Sequence, residues 1–522
     1  MNKKTLFLTF IFVFSILTHS LYAENTYRIG NVTYDISGLT REYVLAQKLA
    51  IDTDTIFATE EELNEYIADI KQNIENERVI ETSEIEVSYS EPDSEGLVTV
   101  NLLIKTEDSI NFVIVPYPTY DVNNGFKLKL KIKDYNFLGS MDEFNSSLVY
   151  FLRVNEDTGE TSNYFDFSFG FDVPFQLGVF NCTWDNSFSI NYVVGDSNVG
   201  FSIREGINFS LPILDITSLN FGFSQSFIQN PSYKDNDDLF YFNTAASLSL
   251  PLNIAEIPDV GYLTWTPGIS FNFNWDIDAF RGIDHFGIQT EELWGPSLTF
   301  SQRISTGKVN WLGNLKDGFS AQTTVNYSYN FSSYEFVPSI NMELDRFHAF
   351  TSNAIYTRLY YFVNTNGSTS QIGGRTRGIR DNDINSSCAF CLNVDFPFEM
   401  FQTDWVGWVK NLFGKEWTWL SYVDFEAHIS PFFDFIIGHN NKTQSFYNFR
   451  DTYFASGFEI IGFPNKFRSI QGRISFGVDL VHVGMLIGNK VNFVNKVVNR
   501  LFNTSWRTDP WWELFIGIGM HY

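Results

Sequence analysis

From Val115 onward the chain alternates apolar and polar residues, and the alternation continues toward the C-terminus. Phe126, Leu128, Leu130 and Ile132 alternate with Lys127, Lys129, Lys131 and Lys133. Phe165, Phe167, Phe169 and Phe171 alternate with Asp166, Ser168, Gly170 and Asp172. Ile269, Phe271, Phe273, Trp275 and Ile277 alternate with polar residues, as do Val325, Tyr327 and Tyr329. A period of two places one kind of side chain on each face of a strand. Such strands build either a soluble sandwich or a membrane barrel, greasy outside and wet inside. Three features favour the barrel. Strand candidates are longer than the usual ~5–6 residues of soluble sheets and near the ~9–11 of a tilted span. Aromatics crowd the strand ends. The last stretch, Leu514 to Tyr522, keeps Leu514, Ile516, Ile518, Met520 and Tyr522 on one face. The expected fold is a transmembrane β-barrel over residues 114–522, with 16 antiparallel strands. The stretch Leu298 to Phe362 is the hardest to divide.

Composition agrees. The chain has 522 residues, 44% hydrophobic and 17% aromatic, with 54 Phe, 25 Tyr and 12 Trp. Sixty-one acidic against 35 basic residues give a formal charge of −26, which opposes a nucleic-acid partner. Three cysteines cannot make a disulfide scaffold. Cys388 and Cys391 form a C-x-x-C in a strand, where residues three apart face opposite sides; no metal site is expected. No G-x-S-x-G, H-E-x-x-H or Walker loop occurs, so neither catalysis nor a cofactor is expected. Asp276-Ile277-Asp278 reads as a solvated strand end.

Residues 1–23 read as a secretory signal, with Lys3 and Lys4 before the apolar run Thr5 to Leu17 and Ala23 at the cut. Residues 26–108 read as a separate α+β module in the order βααββ. Tyr27 to Ile36 is a strand, and Thr40 to Ala50 is helical. Thr59 and Glu62 form a capping box ahead of a helix with Leu63, Tyr66, Ile67, Ile70 and Ile74 on one stripe. Glu84 to Ser90 and Leu97 to Lys105 are strands. An open sheet edge along Glu84 to Ser90, carrying Ile85, Val87 and Tyr89, could accept an incoming strand through backbone hydrogen bonds. Two connections in the barrel read as helices. Trp405, Trp408, Val409, Leu412 and Phe413 share one face. So do Ile487, Val491, Val494, Val498 and Leu501, opposite Lys490, Asn495, Lys496 and Arg500. Either could lie in a membrane interface.

Six short stretches carry a resemblance. Ile29-Gly30-Asn31-Val32 with Phe57-Ala58-Thr59-Glu60-Glu61-Glu62-Leu63 resembles a POTRA module. Asn136-Phe137-Leu138-Gly139 resembles the motif closing the first barrel strand of the BamA/TamA-type outer-membrane assembly factors, also called bacterial surface antigens. Gly373-Gly374-Arg375-Thr376-Arg377-Gly378-Ile379 resembles that superfamily's V-R-G-F/Y loop motif, with Thr376 and Ile379 departing from it. Asn393-Val394-Asp395-Phe396-Pro397 and Phe432-Phe433-Asp434 resemble its acidic strand motifs.

The resemblance implies that the loop folds back into the barrel. Arg377, with Gly378 and Ile379 beside it, would then meet Asp395, Asp434 or, failing these, Asp424. A first barrel strand carrying Gly125, Leu128 and Leu130 would meet a last one carrying Gly517, Met520 and Tyr522 in a seam. It further implies a bacterial outer-membrane protein with its POTRA-like module in the periplasm, acting without catalysis in assembly, insertion or translocation. Its partners would be outer-membrane lipids, unfolded outer-membrane or secreted client proteins, and accessory lipoproteins. The alternative is a passive pore or surface antigen whose module is a tether.

Overall fold

The structure is a computed structural model and describes residues 25–121, 125–154, 161–195, 199–214, 217–230, 240–258, 260–276, 296–331, 333–379, 384–507 and 511–518. The expected signal at 1–23, most of Asp276-Ile277-Asp278, and Met520 and Tyr522 lie outside the described residues. The chain divides into two compact units, 1–109 and 110–522.

In the first unit, β1 (Thr26–Ser37), α1 (Glu42–Leu49), β2 (Ile56–Phe57), α2 (Glu60–Asn76), β3 (Ile80–Tyr89) and β4 (Leu97–Asp108) form a sheet ordered β2-β1-β4-β3. β1 runs parallel to β4, and β3 returns antiparallel on its other side. Alternate residues Val98, Val100, Leu102 and Ile104 of β4 are buried, with Leu63, Ile70 and Ile74 of α2 and Leu45 of α1. Asp108 fixes the turn from β1 into α1. Its carboxylate accepts from the Leu39 and Thr40 backbone N–H groups at 2.7 and 2.9 Å and from the Thr40 hydroxyl at 2.7 Å. The α2 capping box forms in both directions: Glu62 N–H donates to Thr59 Oγ1 (3.2 Å) and Ala58 N–H to Glu62 Oε2 (2.8 Å).

The second unit is a closed antiparallel barrel. β5 (Phe112–Asp121), β6 (Gly125–Asp134), β7 (Phe144–Val154), β8 (Thr161–Leu177), β9 (Phe180–Val193), β10 (Gly200–Leu214) and β11 (Thr217–Gln229) follow one another. β12 (Phe240–Ser249) and β13 (Leu252–Ile257) are two stretches of one crossing between β11 and β14 (Gly261–Trp275). β15 (Ser297–Leu312), β16 (Leu315–Asn330), β17 (Glu335–Ala349) and β18 (Ala354–Asn364) continue the circuit. In the long connection that follows, β19 (Ser370–Gln371) and β20 (Asn385–Ser386) pair only with each other. β21 (Cys388–Asp395) and β22 (Phe398–Gln402) share one crossing against β23 (Phe425–Asn440). β24 (Ser445–Phe446) turns back on the end of β23, and β25 (Tyr453–Pro464), β26 (Gly472–Asp479) and β27 (Trp512–Ile518) complete the wall, with β27 beside β5.

Twenty-one strand segments make the circuit; with β13, β22 and β24 assigned to their neighbours' crossings, eighteen crossings remain among the described residues. This corrects the expected 16. The stretch Leu298 to Phe362 holds four crossings, β15 to β18. Alternation does not reveal β5, because Val113 and Val115 blunt it and Pro116 and Pro118 argue against an interior strand. It also corrects the seam. β5, not the strand with Gly125, Leu128 and Leu130, neighbours β27, and Asn136-Phe137-Leu138-Gly139 closes the second barrel strand.

The barrel is inverted relative to a soluble protein. Phe126, Leu128, Ile203, Phe223, Ile269, Phe300, Ile304, Ile460 and Ile474 are exposed, while Ser146, Ser224, Ser226, Asn393, Ser430 and Ser475 are buried. A continuous apolar exterior of this extent suits hydrocarbon rather than water. Closure is what makes it tolerable there, since each unpaired backbone group in lipid costs several kcal/mol. No described helix is long and apolar enough to cross a membrane.

Between β22 and β23, α3 (Trp405–Phe413) buries none of its residues; Trp408, Leu412 and Phe413 are exposed, and Asp424 accepts from the Trp405 N–H at 2.8 Å. Between β26 and β27 the expected single helix is two, α4 (Leu480–Gly488) and α5 (Asn492–Leu501). The break lets Val498 of α5 turn inward against Gly484 of α4, while Ile487, Val491 and Leu501 stay exposed.

Replacing Thr59 by Ala should cost about 1 kcal/mol of local helix stability. Amide exchange across Glu60–Asn76 of the full chain is expected to quicken. Exchange as slow as in the parent would contradict the role given to this cap.

Candidate functional site: an inward loop clamped across the barrel wall

The register of the wall creates the site. Asp395 lies opposite Phe432, Phe432 opposite Gly457, Gly457 opposite Gly477, and Gly477 opposite Glu513. These five residues form one row across β21, β23, β25, β26 and β27, and period-two alternation turns all five toward the lumen. The third and fourth members, Gly457 and Gly477, have no side chain. Backbone can therefore approach the wall there, which is what a glycine inside a strand often marks.

The connection after β18 uses that space. Its tip, Arg377-Gly378, lies along the row. A Cβ added at Gly477 would sit 2.8 Å from both Arg377 C and Gly378 N. Gly378 itself has φ +94°, and a Cβ there would run into the Gly477–Val478 backbone, so only glycine fits both the conformation and the contact. Its N–H donates to Glu513 Oε2 at 2.8 Å. The tip thus reaches the strand next to the seam.

Arg377 is 3% exposed, so its charge is compensated by the wall or not at all. Nε and one terminal nitrogen donate to the two oxygens of Asp434, at 2.9 and 2.6 Å, in a fork-to-fork pair. The other terminal nitrogen donates to Asp395 Oδ1 at 2.6 Å and lies 3.4 Å from Glu459 Oε1. The Arg377 backbone N–H also donates to Asp434, at 2.8 Å. The guanidinium lies flat on Phe432, 3.8 Å from the ring centroid. Asn393 ties the loop down from the side, donating to Asp434 Oδ1 and to the Arg375 carbonyl, both at 2.8 Å. A second guanidinium, Arg473, lies 3.3 Å from Glu459 and 4.2 Å from the Phe515 ring centroid on β27. Arg375, two residues earlier, lies over Tyr360 and pairs with Glu343 at 2.8 Å.

Asp395 and Asp434, singled out from sequence, both contact Arg377; Asp424 does not. It belongs to the α3 end of the barrel, where it accepts from Thr403 and Trp405. Ile379, which stands where an aromatic was expected, is buried with Phe362, Ile372, Ile384, Ala389, Cys391, Ile436, Tyr453 and Ala455. An aliphatic residue thus fills the tip's packing position. Thr376 is 1% exposed and its hydroxyl has no hydrogen-bond partner among the described residues. Sequence reading missed Glu459, Glu513 and the Gly457–Gly477 pair. The signal was glycine inside alternating strands, legible only once the strands are in register.

In the other unit β3 is an edge strand, paired on one side to β4. Ile85 and Val87 are half-buried, and Tyr89 is 46% exposed. In the barrel, Gly125 opens β6, Leu128 is exposed and Leu130 half-buried, and Gly517 ends the inner row of β27 after Glu513 and Phe515. The three cysteines are free and buried, and no group of metal-binding side chains occurs among the described residues.

No protein-family model matches the sequence, and no curated protein does. Among solved structures, BamA from Haemophilus ducreyi lacking POTRA domains 1–3 aligns over 94% of this chain and 84% of its own, at 10% identity and a TM-score of 0.40. CdiB from Acinetobacter baumannii aligns over 94% and 73%, at 10% identity and 0.46. CdiB from Escherichia coli aligns over 94% and 76%, at 11% identity and 0.45. At these values the likeness assigns no residue and no activity to this chain.

Arg377→Ala should take the paired cation from Asp395 and Asp434 and one of two from Glu459. The expected loss is about 3–5 kcal/mol, read as a lower temperature at which the folded barrel band converts to the unfolded one on gels. Arg377→Lys should recover only part of it, because an ammonium cannot make the forked pair. A barrel as heat-resistant as the parent with Ala at 377 would contradict the clamp. Thr376→Val, by contrast, removes an unsatisfied hydroxyl at constant shape and should leave heat resistance unchanged or raised; a large drop would show that the hydroxyl has a partner.

Proposed function

We propose that this chain is a non-catalytic outer-membrane factor that assists the insertion or translocation of unfolded client proteins, with residues 26–108 as a POTRA-like module in the periplasm. The observation that carries the reading is the Arg377–Gly378 tip, bound inside the barrel from β21 to β27. The cation is compensated on β21, β23 and β25, and the neighbouring Gly378 N–H carries the tip on to β27, beside the seam. In a barrel that handles clients, the same clamp links the lumen to the state of the seam. The apolar exterior supports a lipid surrounding, and the free side of β3 offers backbone donors and acceptors to an extended chain regardless of its sequence. No nucleotide is required: client burial and backbone pairing supply the free energy.

The test is reconstitution of the full chain in liposomes with an unfolded barrel client. Insertion faster than into empty liposomes, lost when residues 26–108 are deleted, is the expected result. Insertion no faster than in empty liposomes, together with steady conductance in planar bilayers that survives the same deletion, would instead establish the pore with a tether.

A further inference from the structure

The connection between β26 and β27 is charged unlike the rest of the chain. From Leu480 to Arg507 it carries Lys490, Lys496, Arg500 and Arg507 and no Asp or Glu, in a sequence with 61 acidic residues to 35 basic ones. Arg507 pairs with Asp479 at 2.9 Å. Lys490, Lys496 and Arg500 are exposed and form no ion pair among the described residues. Lys496 and Arg500 stand four apart on α5, where side chains are neighbours and like charges repel.

Packing fixes the rotation of α5. Val498 is buried, and a Cβ added at Gly484 of α4 would come within 2.9 Å of it. At about 100° per residue, Leu501, Val497 and Phe493 follow one another around the helix from Val498. All three are exposed, Phe493 by 75%. Arg500 and Lys496 come next, bordering that apolar stripe on its far side. The C-terminal end of α5 is tied to the outer surface of the wall. Phe502 stacks on Phe449 at 5.8 Å and meets Phe454 edge-on at 5.5 Å. Phe454 packs in turn on Phe433 and Phe435, which alternate with the inward Phe432 and Asp434 and so face outward. Arg450 donates to the Asn499 carbonyl at 3.1 Å. This end of α5 therefore lies on the outer rim of the barrel, not over the lumen. Ser469, at the opposite end of β26, donates to Asn111 just before β5, so the rim in question is the one remote from the start of β5.

We propose that α5 lies in the membrane interface at this rim and binds the phosphate of an anionic lipid between Lys496 and Arg500. An exposed apolar stripe bordered by cations is what holds a helix in the plane of a bilayer. Phe493, Val497 and Leu501 enter the acyl region, continuing the apolar surface that Phe433, Phe435 and Phe454 begin. The stems of Lys496 and Arg500 lie along that surface while their charged ends reach the headgroups. The guanidinium fork takes two phosphate oxygens, and the ammonium adds a point charge beside it. A phosphate held between the two turns their mutual repulsion into a shared attraction. A soluble anion would satisfy the cations but leave the stripe in water; a lipid answers both halves of the helix. The inference rests on the lipid-facing barrel and not on client handling.

The full chain embedded in liposomes of phosphatidylcholine and phosphatidic acid tests both parts. A fluorescent dye on Val497→Cys, the native thiols being buried, should be quenched by nitroxides on the acyl chains and shielded from iodide in the water. Iodide quenching as strong as for the free dye would overturn the placement of α5. Phosphatidic acid retained after detergent extraction, read by native mass spectrometry, should fall by about fivefold for each cation lost in Lys496→Gln with Arg500→Gln. The folded band of that double variant should keep the parent's heat resistance, since both side chains are exposed and unpaired. Retention equal to the parent's would overturn the phosphate site. Excess inorganic phosphate should leave the lipid bound; its release would assign the two cations to a soluble anion and overturn the lipid. None of these readings involves a client, so a failure here leaves the proposed function standing.

Discussion

Backbone pairing in a medium without water is the constraint on which the rest of this structure depends. In hydrocarbon an unpaired N–H or C=O has no alternative partner, so a sheet must close on itself. Closure then sets the side-chain pattern of most crossings among the described residues: apolar outward, polar inward, with a period of two. It also decides what the interior can hold. Small residues and two glycines facing each other in β25 and β26 leave room for a loop, and acids beside that room receive a guanidinium that water no longer solvates.

The site follows from register more than from any motif. Asp395, Phe432, Gly457, Gly477 and Glu513 are spread over more than a hundred residues of chain, yet they form a single row across five strands. Shifting one strand by one residue would turn its member of the row to the lipid. The Arg377 clamp therefore also pins register in this part of the wall, since its partners can all be met in only one alignment. A buried ion pair of this kind is weak evidence for net stability and better evidence for specificity, which suits a loop that must lie at one place in the lumen.

Much of the architecture was legible in the sequence, for a physical reason: alternation is a local pattern. The capping box at Thr59–Glu62, the stripe on α2 and the greasy faces of β6, β8 and β14 all show in short windows. β5 did not, because two prolines and apolar residues on both faces erase its alternation. The helical connection before β27 read as one helix because a 3.6-residue period continues across the break at residues 489–491. In the site, Arg377, Asp395 and Asp434 stood out as chemistry or by resemblance. Glu459, Glu513 and the facing glycines did not, because their meaning depends on which strands are neighbours and in what register. Asp424 stood only as the fallback for Asp434; at the α3 end it accepts instead from the Thr403 hydroxyl and the Trp405 backbone N–H.

The central claim is a closed, lipid-facing barrel with the loop tip bound to the inner wall. The most direct measurement is labelling of Asn393→Cys, which lies beneath the loop tip, by a membrane-impermeant maleimide in membrane-embedded protein, read against the parent with its buried native thiols. The account predicts slow labelling that becomes rapid when Arg377→Ala is added. Rapid labelling with Arg377 in place, or protein that remains in water without detergent, would contradict it.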